Sequence, residues 1–500
     1  MAELHAYRFP ARPAVGVLFG LSLPRLVSYG LAGVMLIVVS ARPSLAGVLV
    51  GGLLMVALVA TASVKVAGRA LVDWVPVAAG FLWRQVTRNT EFYASADLVE
   101  TPLPDGVLDL PGELFGFELH AYLAADTRAT VNNPSPADYG ILLDTFRGRL
   151  VAIVEVSGGD LLFLDPAEQQ AHIGSWGGLL DHVGQSMPEL CRLQLVHVCG
   201  PATGGQARRW HDDHGGHGDQ ATTVSYRHLL DEADGVGQHH RLLLAIALDR
   251  TVVRRQIRQA GGGHDGAATV LLDRAARIED ALAGAGVEVH GWLPARQVAA
   301  VLRAGFDPAA VDNLDARGVD VTAGAGCDPA VAGPAGMVES WTALRLDSGW
   351  AATLQVAGPP SRPVTGEFLQ HLLIGVPAER RMSLLYVPTP MSVAERRAQT
   401  QQVTAESEQA LRSRWGFGTS ARHRREHGDA ARREEELVEG RAVYRLVWTI
   451  TVTAPDPAGL DVAVGHLEAA GRRCGVELRR LVGTQRQAAS FSLPLCRGAR

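Results

Sequence analysis

Two stretches of this sequence carry side chains suited to binding a cation or an anion. The first is His211-Asp212-Asp213-His214-Gly215-Gly216-His217-Gly218-Asp219, whose imidazoles and carboxylates are ligand types for a divalent metal. Its glycines impose no fixed geometry and it lacks an H-x-x-x-H frame. A flexible polar loop is expected over 211–219, with adventitious nickel or zinc binding as the alternative. The second is Ala260-Gly261-Gly262-Gly263-His264-Asp265-Gly266, between a charged strand end and a helix start. Backbone amides at a helix N-terminus can cradle an anion. This run lacks the G-x-G-x-x-G order after a buried strand, so a loop is expected here too.

One residue type decides against nucleotide hydrolysis. Lys65 is the only lysine among 47 basic residues; the rest are arginine. A P-loop needs a lysine ahead of its Ser or Thr to reach the β- and γ-phosphates. Here the sole lysine ends an apolar stretch, in Ser63-Val64-Lys65-Val66. A P-loop ATPase is excluded, and a Schiff-base lysine enzyme with it. The sequence shows no G-x-S-x-G elbow, no H-E-x-x-H pair and no convincing close carboxylate pair. A membrane-associated glycosyltransferase-like enzyme is the alternative of another class, though Asp212-Asp213 is a poor substitute for the D-x-D-like metal loop it would need. No catalytic, cofactor-binding or metal-binding residue is assigned, and a non-enzyme is expected.

Cys191, Cys199, Cys327, Cys474 and Cys496 are odd in number, scattered and without a C-x-x-C pair. A disulfide framework or structural zinc site is not expected; reduced thiols suit a cytoplasmic body. Cys191 and Cys199 have the spacing of one strand face, as small buried residues. The 500 residues exceed what one compact core holds, so two or three folded units are expected. With 20% charged and 47% hydrophobic residues the chain has an ordinary globular balance. A net charge of −5 gives no basic field, and no direct nucleic-acid binding is expected. The arginine bias, with abundant Ala, Gly and Val, suggests a high-GC genome such as an actinobacterium's.

Residues 26–41 (LVSYGLAGVMLIVVSA) and 44–64 (SLAGVLVGGLLMVALVATASV) are uncharged. As helices they would reach about 24 and about 31 Å, so the second spans comfortably and the first only just. Arg42-Pro43 between them permits only an antiparallel hairpin, and helices are the way to satisfy backbone groups in lipid. Arg8, Arg12 and Arg25 precede the pair and Lys65, Arg69, Arg84 and Arg88 follow it, so the positive-inside rule places both termini in the cytoplasm. Ala60-Thr61-Ala62 imitates a signal-peptidase site, but two apolar segments do not make a leader. Trp74, Phe81, Trp83, Arg84 and Arg88 then suggest a helix at the headgroup level, with a core helix as the alternative.

Behind the hairpin the pattern alternates strands and helices. Strand-like runs fall at 141–146, 150–156, 161–165, 193–198, 241–248 and 287–293, with helical periodicity over 166–184 and 267–285. A second set follows: strands at 341–346, 350–356, 382–387, 442–453 and 475–482, and a helix over 457–471. The expected fold is α+β (α/β-like), two units of split β-α-β type behind the transmembrane hairpin.

Phe19-Gly20-Leu21-Ser22-Leu23-Pro24-Arg25-Leu26, running into a tight hairpin, resembles the start of the PrgI family, small membrane proteins of Gram-positive conjugation machines. The body resembles actinobacterial membrane proteins encoded with conjugation-type, type IV-secretion-like loci, similar in turn to the non-motor N-terminal half of the conjugative transfer ATPase. The matching stretches are Glu339-Ser340-Trp341 with Ser348-Gly349-Trp350, then Met382-Ser383-Leu384-Leu385-Tyr386-Val387-Pro388, and finally 483–495 (GTQRQAASFSLPL). The resemblance implies a non-catalytic subunit that anchors or docks a separate ATPase, without a cofactor. Its implied partners are membrane lipid, other secretion or conjugation subunits, and further copies of itself. An EccE-like component of type VII secretion would share the two spans and the α/β body. The expected organisation is a cytoplasmic segment 1–25, the hairpin 26–64, a juxtamembrane segment 65–100, and α/β domains 101–305 and 306–500. A charged excursion is expected near 392–441 in the second domain.

Overall fold

The computed structural model describes residues 6–9, 22–41, 45–66, 69–95, 104, 106–123, 138–159, 164–201, 211, 219–232, 237–311, 314, 326–396, 399–400, 428, 432 and 435–498. They form two compact units: residues 10–90 with 482–484, and residues 1–9, 91–481 and 485–500.

The smaller unit begins with helices α1 (Leu23–Ala41) and α2 (Leu45–Ser63). They run antiparallel: Tyr29 Oη, early in α1, lies 3.0 Å from Ser63 Oγ, the last residue of α2. At the other end a methyl group at Gly51 would overlap Val39 Cγ2, whereas at Gly52 it would meet nothing within 4 Å. Small residues let two helices approach closely in this way. Gly51→Leu is therefore expected to destabilise the detergent-solubilised chain by about 1–3 kcal/mol, seen as a lower Tm. Gly52→Leu, the matched control, should leave the Tm unchanged.

Among the described residues α1 is the one helix long and apolar enough to cross a bilayer, with mean hydropathy 1.7 over 19 residues; within α2 the apolar stretch that is described in full is Gly47–Ser63. Helix α1 begins at Leu23, not Leu26, because Pro24 and Arg25 fit its first turn, where a proline costs no hydrogen bond. Arg25 ends 2.8 Å from Asp73 of a later helix, which also accepts a hydrogen bond from Ser22. A two-stranded ribbon, β1 (Lys65–Val66) and β2 (Arg69–Ala70), leads to that helix, α3 (Leu71–Val86). Helix α3 leaves Val75, Leu82, Trp83 and Val86 exposed and buries no residue, unlike a core helix.

Among the described residues the larger unit is built on a 13-stranded sheet in which every strand pairing is antiparallel. Strand β3 (Glu91–Tyr93) leads to β4 (Phe117–Leu123), β5 (Asp138–Asp144) and β6 (Arg149–Gly158). Helix α4 (Pro166–Ser186), β7 (Leu190–Pro201), α5 (Gln220–Glu232), β8 (Gln238–Asp249), α6 (Arg254–Gln259), α7 (Gly263–Gly284), β9 (Val287–Trp292) and α8 (Ala295–Phe306) follow. Next come β10 (Gly336–Glu339), β11 (Leu344–Arg345), β12 (Trp350–Gly358), α9 (Gln370–Leu373), β13 (Arg380–Thr389), β14 (Val443–Ala454), α10 (Pro457–Arg473), β15 (Glu477–Arg480) and α11 (Gln485–Ser490).

Two segments of this chain share one plan. In the first, β6, β7, β8 and β9 lie in the order β9-β6-β8-β7; in the second, β12 to β15 lie in the order β15-β12-β14-β13. Each is a split β-α-β unit of ferredoxin-like topology. The likeness continues outward, since hairpin β4–β5 is added to β6 as β10–β11 is to β12. The two halves join edge to edge through β7 and β13, from Leu193↔Tyr386 to Cys199↔Arg380. Consequently the sheet runs unbroken across the expected boundary at 305/306.

Local chemistry explains the elements. Asp165 caps α4 by accepting from Ala167 and Glu168 amides, Glu168 returns the bond to the Asp165 amide, and Pro166 opens the first turn. At α10 the Asp456 side chain accepts from the Gly459 amide and Pro457 opens the first turn. The helices cover one face, α7 with Leu271, Ile278 and Leu282 over the first half, α10 with Leu460, Val464 and Leu467 over the second. A third core fills the opposite face, where Val298 and Leu302 of α8 meet Val151, Leu243 and Ala351 across both halves. Within the expected excursion 392–441, residues 401–427 lie outside the described ones, as do 161–163 of the expected strand 161–165.

Candidate functional site

The β7–β13 seam carries five buried polar side chains, Arg192, Gln194, Arg380, Arg381 and Ser383, and the two faces of the sheet use them differently. On the α8 face, Gln194 is 0% exposed. Its Nε2 reaches Ser383 Oγ at 2.8 Å, Leu493 O at 2.8 Å and Phe491 O at 2.9 Å, while its Oε1 accepts from the Cys496 amide at 2.6 Å. Arg192 donates to Cys496 O at 2.8 Å, and burial lowers its pKa to about 10, with Arg149 adding to the effect. Residues 485–497 are thus strapped over both halves. Gln485 accepts from the Thr353 amide of β12 at 2.9 Å, and Arg497 pairs with buried Asp144 of β5 at 3.0 Å. Residues 485–495 of this strap belong to one of the stretches that carried the family resemblance.

Beside the strap, a cleft of about 670 Å³ is lined by Val196, Leu243, Val301, Leu493 and Pro494. Its two arginines are matched by carboxylates, Arg241 with Glu155 at 2.7 Å and Arg381 with Glu379 at 3.1 Å. A site whose cations are already neutralised has little pull on a phosphate.

On the α4 face of the same strands, His197 Nε2 lies 3.0 Å from His240 Nδ1, the rings stacked 5.1 Å apart. Arg380, 3% exposed, donates to the carbonyls of Leu372, Leu373, Val376 and Ala378, a cage without a carboxylate. Burial first, then His240 and Arg380, push His197 down to about 4; His240 is lowered by burial and by Arg380. Both rings are neutral at pH 7, so one must donate to the other. Cys199 Sγ lies 4.0 Å from His240 Nε2, and burial raises its pKa. A thiol raised by burial at that distance is not an activated nucleophile.

Cys191 and Cys199 do not share a face. The register shift between Leu190 and Arg192 is a β-bulge that turns Cys191 toward the α8 face, whereas Cys199 faces the histidine pair. All five cysteines are free. Of the His-rich loop, His211 and Asp219 are described; 212–218, including Asp212-Asp213, lie outside the described residues. Asp219 accepts from the Thr222 amide beside the start of α5, and its carboxyl is held low by that residue. The glycine run makes the turn into α7, with φ of 104°, 74° and 65° at Gly261, Gly262 and Gly263. Helix α7 accordingly starts at Gly263, ahead of the expected 267, and its first turn carries His264.

No protein-family model matches the chain, and no curated protein does. The seam residues were not singled out from the sequence. A buried glutamine in an aliphatic strand (Leu193-Gln194-Leu195) and consecutive arginines opening another (Arg380-Arg381) were the signals available, since polar groups inside a strand pattern must find partners.

Proposed function

We propose that this chain is a membrane-anchored, non-catalytic subunit of a conjugation-like, type IV secretion-type transfer apparatus, and that its body docks a separate ATPase. The observation that carries the reading is the α1–α2 pair, whose residues Leu31, Ile37, Leu49 and Leu53 are each more than half exposed. So much bare aliphatic surface on paired helices is stable in lipid and costly in water. Both helices cross the bilayer, α3 lies along the headgroups with Trp83 toward lipid, and both termini face the cytoplasm. The lone lysine supports a subunit that leaves nucleotide hydrolysis to a partner.

Two measurements test this. A C-terminal tag should resist protease in intact cells and stay with membranes after alkaline extraction. Affinity purification from solubilised membranes should recover an ATPase encoded in the same gene neighbourhood. A tag cut from outside, or a chain released by alkali, overturns the anchor; recovery of type VII secretion components instead would make the chain EccE-like.

A further inference from the structure

We propose that Glu118, His120 and His264 form a binding site for a divalent transition-metal ion of the zinc type. Glu118 and His120 stand two residues apart on β4, so both project from one face of that strand. His120 Nε2 lies 3.1 Å from Glu118 Oε2, and the His120 and His264 rings are 5.2 Å apart, inclined at 48°. One ligand atom from each of the three falls within 4.8 Å of the other two. Donor atoms around a tetrahedral zinc stand about 3.4 Å apart, so a small rotation of exposed His264 completes the set.

Two backbone devices hold the imidazoles there. Gly106, at φ +81°, lies against His120: a methyl group on it would come within 2.6 Å of Cε1 and 2.8 Å of Nδ1. That leaves Nε2 as the free edge, turned to Glu118. The left-handed run Gly261–Gly263 delivers His264 from the opposite side, at the start of α7. A further tether, Tyr122 Oη to Thr269 Oγ1 at 3.1 Å, fixes strand against helix one turn along.

An ion pair with Glu118 would use one imidazole; the second is explained by metal ligation. Two histidines and one carboxylate leave at least one coordination position for water or for a donor from another chain. A bound ion would clamp the outer strand of the sheet to the first turn of α7. The set suits zinc, nickel or cobalt rather than calcium or magnesium, which favour all-oxygen shells.

The test uses the full chain in detergent, with His211, His214 and His217 changed to alanine so that the His-rich loop contributes nothing. After EDTA treatment and buffer exchange, ZnCl2 is titrated calorimetrically and CoCl2 by visible absorption. One equivalent should bind, with cobalt ligand-field bands. His264→Ala, at an exposed position, should weaken binding at least about tenfold and alter those bands; Glu118→Gln should weaken it too. The metal-free Tm of both variants should match that of the parent, separating ligation from folding. Absence of binding in the loop-substituted parent overturns the site. So does binding that His264→Ala leaves unchanged.

Discussion

Gln194→Ala is expected to destabilise the body by roughly 4 kcal/mol and to loosen residues 491–497. The magnitude follows from what the amide satisfies: it donates to Phe491 O and Leu493 O and accepts from the Cys496 amide, all inside the sheet core. Each buried polar group left without a partner costs about 1–3 kcal/mol, and a vacancy would add to that. Gln194→Glu keeps the shape but replaces the donor with a charge facing two carbonyls, and should be at least as damaging. Thermal unfolding of the solubilised chain reads the stability, and limited proteolysis reads the strap. If Gln194→Ala melts with the parent and 491–497 stays uncut, the amide is not what holds the strap down.

The body should also weaken on mild acidification, through His197. Its pKa is about 4 in the folded chain against an ordinary value of 6.5, because burial, His240 and Arg380 all disfavour the imidazolium. Between these values the unfolded chain binds the proton and the folded chain does not, so stability falls as pH drops from 6.5 toward 4. Above 6.5 the contribution is fully present. The shift corresponds to about 3 kcal/mol, with His240, lowered in the same direction, adding to the slope. His197→Leu should flatten the decline between pH 6.5 and 4 while leaving the Tm at pH 8 within a few degrees. An equally steep decline in that variant would assign the acid sensitivity to other groups.

Strands and helices were legible wherever local chemistry agrees with burial. Asp165-Pro166 with Glu168, and Asp456-Pro457, mark their helix starts without help from the rest of the fold. Alternating or continuous aliphatic runs gave β6, β8, β12 and β13, and with them the mixed α+β class. The joining of the halves was not legible, since nothing in Leu193–Val198 or Met382–Val387 states that one run pairs with the other. Residues 483–495 drew notice by resemblance alone. Their placement depends on contacts with Gln194 and Thr353, far away in sequence. Glu118 and His120 sit in Phe117-Glu118-Leu119-His120, a plain alternation, and only the fold brings His264 beside them.

The strap also sets an order of events during synthesis. Gln194 and Asp144 emerge from the ribosome some 300 to 350 residues before Cys496 and Arg497, with which they pair. Helices α1 and α2 emerge earlier still, while the sheet behind them lacks its last layer. Until translation passes Arg497, the nascent body must hold an unfinished core open, and that interval is when its apolar surface is most exposed to aggregation.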